Sequence, residues 1–173
     1  MSSAWRRVAI VVLASMALFV VAGCGGDDSD SSEGSTTTES SGTPDIGVDD
    51  LTADFSAMTK LKDLASEGEG KIGVLLPDTT TSTRYVQYDE PNLKKAFETA
   101  GLSSDQFKIQ NAQGSTSTMQ QQAEAMITDG ASVLLIDPLD PGSGAAIEEN
   151  AVSKGLKVID YDRLVTGGPK DRY

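Results

Sequence analysis

Charged and aromatic side chains follow three apolar runs of the sequence, at the points where those runs end. Arg84 and Tyr85 lie in the segment after the first run, Asp137 ends the third, and Asp162 and Arg163 follow the fourth. Carboxylate and guanidinium groups form strong hydrogen bonds with hydroxyl groups, and an aromatic ring covers the apolar C–H face of a sugar. These five residues are therefore the candidate substrate-binding residues, and their chemistry fits a neutral polyol.

Each candidate also has a simpler interpretation that the sequence leaves open. Arg84 could be a solvated loop cation, and Tyr85 could pack on the domain without touching a ligand. Asp162 and Arg163 could form a surface ion pair, which is common and weak. Asp137 precedes a proline and could cap the next turn.

The composition excludes several kinds of chemistry. The 173 residues include no His and one Cys, so Ser-His-Asp catalysis, Cys-His catalysis, an internal disulfide and a multi-thiolate metal site are ruled out within this chain. A formal net charge of −12 argues against nucleic acid as a partner. Neither glycine-rich phosphate motif, G-x-G-x-x-G or G-x-x-x-x-G-K-[ST], is present. We therefore expect a binding protein without a cofactor or metal, and not an enzyme.

Three aspartates at the ends of apolar runs form the one pattern that would support catalysis. They are Asp137, Asp160 and Asp162. Two carboxyl groups about 5–10 Å apart suit glycoside hydrolysis. However, Asp160 and Asp162 alternate along a predicted strand, and Arg163 beside Asp162 would keep that carboxylate ionised instead of a proton donor. A sugar-acting enzyme is therefore an alternative that the residues favour less than binding.

After residue 70, short apolar runs alternate with amphipathic segments of ten or more residues. This order, with short connections, predicts an α/β fold with an open parallel sheet and helices on both faces. In such sheets ligands bind beyond the carboxyl ends of the strands, which is where the five candidates fall. The chain stops at Tyr173, where a further element should begin, so we expect an incomplete lobe with one sheet face partly bare. The predicted strands are 71–76, 107–111, 132–137 and 156–160, and the predicted helices are 90–100, 116–129 and 142–154.

The first 24 residues have the form of an export signal. Residues 1–23 combine two arginines with an apolar run that is too short for a comfortable membrane span of about 20 residues. The last four residues before the break, Val21-Ala22-Gly23-Cys24, resemble the lipobox of bacterial lipoproteins. That resemblance implies cleavage before Cys24, lipidation of its thiol and anchoring to the membrane.

Two further segments precede the predicted domain. Residues 24–44 are rich in Gly, Ser, Thr, Asp and Glu, and they cannot bury enough apolar surface to offset the entropy of ordering, so a disordered tether is expected. Residues 45–70 are predicted to be a loosely packed spacer with a short amphipathic helix. The apolar residues that predict this helix recur at spacings of three and four, and they are Leu51, Phe55, Met58, Leu61 and Leu64.

From residue 71 the sequence resembles the N-terminal lobe of type 1 periplasmic-binding-protein-like sugar receptors, the solute-binding subunits of ABC importers. The resemblance is closest to D-xylose-binding proteins. In these proteins the pair at the position of Asp162-Arg163 holds sugar hydroxyls, and an Arg-Trp pair stands where this chain has Arg84-Tyr85. The motifs that carry the resemblance are Lys71-Ile-Gly-Val-Leu-Leu76, Arg84-Tyr85, Gly130-Ala-Ser-Val-Leu-Leu-Ile-Asp137-Pro138 and Gly155-Leu-Lys-Val-Ile-Asp160-Tyr161-Asp162-Arg163.

The resemblance implies a function and a setting. The function is binding of D-xylose or a related monosaccharide for an ABC permease, on the outer face of the cell membrane. Receptors of this family clamp the sugar between two lobes, and this sequence matches one lobe, so a C-terminally truncated receptor with weak sugar affinity is expected. Two other interpretations stay open: a sugar-sensing regulator of the same fold, like repressors of the lactose-repressor kind, and a fragment that neither folds well nor binds.

Overall fold

The computed structural model of the chain describes residues 42–170 and 172–173. The predicted signal peptide, the predicted lipidation site Cys24 and nearly all of the predicted tether lie outside these residues. Within the described part, no helix is both long and apolar enough to cross a lipid bilayer.

The centre of the molecule is an open sheet of four parallel strands in the order β2-β1-β3-β4. Val74 in the middle of β1 lies opposite Ile109 on one side and Leu135 on the other, so apolar side chains are in register across the sheet. The predicted α/β fold with an open parallel sheet is confirmed. The strands are β1 (Lys71–Leu76), β2 (Phe107–Asn111), β3 (Ala131–Ile136) and β4 (Lys157–Asp160).

Three long helices connect the strands, and side-chain caps fix where two of them begin. The Ser115 hydroxyl accepts a hydrogen bond from the Thr118 amide at 3.2 Å, and the Asp140 carboxylate accepts one from the Ser143 amide at 2.9 Å. Each cap satisfies an amide that has no partner within its own helix. The three long helices are α2 (Glu90–Thr99), α3 (Thr116–Thr128) and α4 (Pro141–Ser153). A shorter helix, α1 (Lys62–Glu67), precedes β1.

The two faces of the sheet are covered to different extents. One face packs against α3 and α4 through a fully buried core that includes Leu75, Met119 and Leu134. The other face packs against α2 through a smaller buried cluster around Val74 and Leu76. Successive residues of a strand point to opposite faces, so the apolar runs of β1 and β3 supply both cores. On the α2 face the side chains of β3 and β4 are less covered, and three of them are half-buried: Val133, Leu135 and Ile159.

The segment before β1 differs from the single short helix that the spacing of its apolar residues predicted. A 3-10 helix spans Ser56–Leu61 and leads directly into α1. Phe55 has left-handed backbone torsions (φ 65°), which end any helical path from Leu51, and Leu51 is 63% exposed. The Lys95 ammonium of α2 lies 5.0 Å from the centre of the Phe55 ring, so this segment contacts the domain.

The packing of α4 predicts opposite effects for two glycines in its first turn. A Cβ at Gly144 would lie 2.8 Å from Pro138 Cβ and 3.0 Å from Val165 Cγ2. Gly144→Ala should therefore lower the free energy of unfolding by about 1–3 kcal/mol. A Cβ at Gly142 would meet only Asp140 Oδ1, at 3.4 Å, so Gly142→Ala should leave stability unchanged or raise it slightly. Urea unfolding measures both, and equal losses in the two variants would contradict this packing.

Candidate functional site

The loops that follow β1, β3 and β4 meet at the carboxyl edge of the sheet. The loop after β1 is organised by Asp78, a buried carboxylate that accepts hydrogen bonds from the Thr80 amide at 3.0 Å and the Thr81 amide at 2.8 Å. The Thr81 hydroxyl also donates to Asp78, and this bond is the main reason that the Asp78 pKa lies below its usual value. Asp78 is thus a structural residue that fixes the path of the chain to Arg84.

Arg84 joins two of these loops through its guanidinium group. Its Nε lies 2.8 Å from Oδ2 of Asp89, the last residue of the π-helical turn Tyr85–Asp89 that leads into α2. Its Nη1 lies 3.0 Å from Asp162 Oδ1 in the loop after β4. The guanidinium also lies over the Tyr85 ring, 5.1 Å from its centre. Arg84 is therefore held on three sides, although 41% of its side chain remains exposed.

Arg163 makes the corresponding link between the loops after β1, β3 and β4. Its Nη2 donates to the Tyr85 hydroxyl at 2.6 Å, and its Nη1 donates to the Pro138 carbonyl at 3.1 Å. Its Nε lies 3.3 Å from Asp137 Oδ1. These contacts hold the guanidinium beside a buried carboxylate while 44% of the side chain stays accessible.

Asp137 is the most strongly buried of the five candidates, with 0% of the residue exposed. Neither of its carboxylate oxygens accepts a hydrogen bond from the described residues, so the predicted role as a turn cap is wrong. Burial raises the pKa of Asp137 to about 6, and the nearby Arg163 guanidinium opposes this shift. The carboxylate therefore has unused acceptor capacity, but both oxygens are buried, so a ligand reaches them only if the side chains that cover Asp137 move.

Asp162 lies between the two arginines and is placed there by an unusual backbone conformation. Its φ of 65° lies in the left-handed region, which residues other than glycine rarely adopt. Its two carboxylate oxygens lie 3.0 Å from Arg84 Nη1 and 4.0 Å from Arg163 Nε. The predicted alternative of a simple Asp162–Arg163 surface pair is therefore replaced by a network that spans two loops.

Tyr85 has a different position from the one expected of a sugar-stacking ring. Only 3% of the residue is exposed, and the Arg84 guanidinium covers the ring. Burial raises the pKa of the Tyr85 hydroxyl, which therefore stays protonated while it accepts the hydrogen bond from Arg163. Tyr85 thus contacts both arginines, Arg84 through the face of its ring and Arg163 through its hydroxyl.

Two further members of this network were not among the predicted site residues. Asp89 binds Arg84 through one oxygen and accepts a hydrogen bond from the Tyr161 hydroxyl through the other, at 3.0 Å. Burial and the adjacent Asp89 raise the pKa of Tyr161 to about 12. Tyr161 stands between Asp160 and Asp162 in the sequence, so its place at a strand end was the signal that could have identified it.

The three aspartates considered for glycoside hydrolysis do not form one group. Asp160 Oδ2 accepts hydrogen bonds from the Val165 amide at 3.0 Å and from Arg172 Nε at 2.9 Å. Asp137 and Asp162 lie near each other, but both are beside the Arg163 guanidinium, and Asp162 is also bound by Arg84. Among residues 42–170 and 172–173, no group of three or more acidic, His or Cys side chains is arranged to hold a metal ion.

With this geometry established, comparison with known proteins identifies the family. Residues 72–173 match the model of the periplasmic binding protein domain, which is more than half of the chain. The chain belongs to the periplasmic binding protein domain family. The resemblance inferred from the strand-end motifs is therefore confirmed.

The periplasmic binding protein domain of this chain is similar to curated sugar-binding proteins. It is 32% identical over 106 residues to the multiple sugar-binding periplasmic receptor ChvE of Rhizobium radiobacter, covering 61% of this chain and 28% of the relative. It is 31% identical over 105 residues to the D-xylose-binding periplasmic protein of Escherichia coli (strain K12), covering 61% of this chain and 30% of the relative. The chain thus spans less than a third of the length of these relatives.

A solved structure shows the same fold. An ABC transporter solute binding protein from Clostridium phytofermentans, with bound β-D-glucose, aligns with a TM-score of 0.52 and 30% sequence identity. The alignment covers 58% of this chain and 29% of that protein.

The burial of Asp137 predicts a pH-dependent contribution to stability. Its pKa in the folded protein, about 6, lies above the usual 3.8, so the protonated form is favoured by folding. The stabilisation is complete below about pH 4 and is lost as the pH rises through 6, by up to about 3 kcal/mol. Asp137→Asn should remove this part of the decline in the unfolding free energy, measured by urea unfolding from pH 4 to 7.5. Asp63→Asn, in an exposed position on α1, is the control, and a decline unchanged by Asp137→Asn would show that Asp137 is not held in this environment.

Proposed function

We propose that this chain supplies one lobe of an extracytoplasmic, membrane-anchored sugar receptor that serves an ABC importer, with D-xylose or a related monosaccharide as its ligand. The observation that carries the proposal is the network at the carboxyl edge of the sheet. It presents two half-exposed arginine side chains, Arg84 and Arg163, and Arg163 lies beside the buried Asp137 carboxylate, whose oxygens accept no hydrogen bond from the described residues.

The charge balance of the network favours a neutral ligand. Two guanidinium groups face three carboxylates, those of Asp89, Asp137 and Asp162, and each guanidinium is already paired. An anionic ligand would meet the excess carboxylate, and a cationic ligand would compete with the arginines. In the proposed complex the side chains that cover Asp137 move aside, and a sugar hydroxyl donates to Asp137 while it accepts from Arg163. Both charged groups then gain a hydrogen bond without a new net charge.

The relatives support the sugar class and leave the individual sugar to experiment. One relative is named for D-xylose, another for multiple sugars, and the aligned solute binding protein holds β-D-glucose. Our proposal of D-xylose rests on the strand-end motifs together with the first of these. In this assignment Arg84, Asp137, Asp162 and Arg163 contact the sugar, and Tyr85 acts through its hydroxyl on Arg163.

Replacement of Arg163 is the direct test of the sugar site. Arg163→Ala removes a charged donor and leaves Asp137 without its guanidinium neighbour, so D-xylose should bind about tenfold more weakly or lose detectable binding. Saturation-transfer NMR detects weak sugar binding and measures this change. Lys157→Ala, at the exposed start of β4, is the matched control.

The choice of sugars in the same titration tests the charge argument. D-xylose and D-glucose should bind more tightly than the anionic D-glucuronate. Equal binding of all three, or unchanged D-xylose binding by the Arg163 variant, would contradict the proposed site.

The proposed membrane anchor rests on the sequence before the described residues. The Val21-Ala22-Gly23-Cys24 motif provides the cysteine that lipidation requires, and a chain with two or more acyl groups is held stably at a membrane. Cys24→Ser should move the protein from the membrane fraction to the soluble exported fraction in a bacterial host. Retention of the variant in washed membranes would contradict anchoring through Cys24. An anchored receptor would remain close to its proposed ABC permease partner.

A further inference from the structure

A second charged cluster lies beneath the loop that carries Asp162 and Arg163. Asp160, the last residue of β4, accepts two hydrogen bonds at a single oxygen, from the Val165 amide at 3.0 Å and from Arg172 Nε at 2.9 Å. Arg172 also donates through Nη2 to the Val165 carbonyl. Val165 is therefore bound through both its amide and its carbonyl, and the loop that it ends is closed at its base.

Glu148 on α4 completes this cluster from the other side. The residue is 0% exposed, and its Oε2 lies 3.7 Å from Arg172 Nε. A Cβ at Gly168 would clash with that same oxygen, so the Gly168 backbone lies directly against Glu148. We call Glu148, Asp160 and Arg172 the loop-base cluster.

The loop-base cluster encloses the residues that the sugar site needs. Between Asp160 and Val165 lie Tyr161, Asp162 and Arg163, all of which belong to the network described above. Asp162 has a φ of 65°, in the left-handed region, which is disfavoured for a residue with a side chain. Such a conformation persists only when the surrounding structure holds it in place.

We infer that Asp160 and Arg172, backed by Glu148, are positioning residues that hold Asp162 and Arg163 in the geometry required for sugar binding. This inference rests on the proposed sugar site and adds residues to it that do not contact the ligand. Asp160 and Arg172 fix Val165, and a fixed Val165 limits the path of the preceding loop. The loop then offers Asp162 to Arg84 and Arg163 to Tyr85.

The net charge of the loop-base cluster depends on whether Glu148 is protonated, so its hold on the loop should change with pH. The charged groups that face Glu148 are Asp160 at the end of β4 and Arg172. Two buried carboxyl groups share one guanidinium, and burial followed by the interaction with Asp160 raises the pKa of Glu148 above its usual value. The protonated form of Glu148 is therefore favoured in the folded protein. When it ionises at higher pH, a second buried negative charge weakens the hold on the loop.

The experiment compares variants of the full chain by amide hydrogen exchange and D-xylose titration. Arg172→Ala should lower the protection factors of the Arg163 and Val165 amides by about tenfold and weaken D-xylose binding at least threefold. Arg172→Lys, which keeps the charge but not the forked donors, should fall between Arg172→Ala and the unsubstituted chain. Lys170→Ala, an exposed neighbour, is the control, and protection of the β1 amides reports whether each variant remains folded.

The pH dependence separates positioning from general structural support. In the unsubstituted chain the Val165 protection factor should fall as the pH is raised and Glu148 ionises, and Glu148→Gln, which cannot ionise, should abolish this fall. If Arg172 and Glu148 only supported the fold in general, their substitution would lower the protection of the β1 amides as much as that of the Val165 amide.

Each outcome decides between the inference and the proposed function. Loss of Val165 protection with unchanged D-xylose affinity would overturn the positioning role, and so would unchanged Val165 protection in Arg172→Ala. Absence of D-xylose binding by the unsubstituted chain would instead contradict the proposed function. In that case a positioning role in sugar binding fails as well. The exchange data would still show whether the loop-base cluster holds the loop.

Discussion

The parallel pairing of β1 with β3 and of β3 with β4 is the constraint on which the rest of the structure depends. Parallel strands end at the same edge, so the residues that follow them meet there although they are far apart in the sequence. Arg84 and Asp162 are 78 residues apart and yet lie within 3.0 Å of each other. The network at this edge exists because the apolar runs fix the sheet, and the sheet fixes where polar side chains converge.

Two buried carboxyl groups, those of Asp137 and Glu148, have different surroundings in this fold. Asp137 is placed beside a half-exposed arginine at the open edge, where its oxygens accept no hydrogen bond from the described residues. Glu148 is placed beneath the backbone of residue 168, next to a largely covered arginine and a second carboxylate. In our proposals the first group takes part in sugar binding and the second helps to hold the loop beside the site. Burial raises the pKa of both groups, so both oppose stability as the pH rises.

The sequence predicted the regular elements well because their signals are local. β1 and β2 have the predicted bounds, and glycines or prolines close to the other elements limited the error at each boundary to one residue. The segment before β1 was less predictable, because the left-handed torsions of Phe55 override a helical spacing of apolar residues.

The candidate site was predictable in composition but not in geometry. Strand-end positions identified the five candidate side chains, and the structure brings all of them into one network. The burial of Tyr85 beneath Arg84 and the Asp89–Tyr161 hydrogen bond depend on tertiary contacts that no local pattern encodes. The role of these residues in sugar binding is our proposal.

Side-chain NMR of the arginines tests the central claim most directly. The three described arginines differ in position: Arg84 and Arg163 lie in the proposed sugar site, and Arg172 lies in the loop-base cluster. Addition of D-xylose should shift the Nε–Hε signals of Arg84 and Arg163 in a saturable manner and leave the Arg172 signal nearly unchanged. Saturable D-xylose binding without any shift at Arg84 and Arg163 would show that the sugar binds elsewhere and would contradict the account.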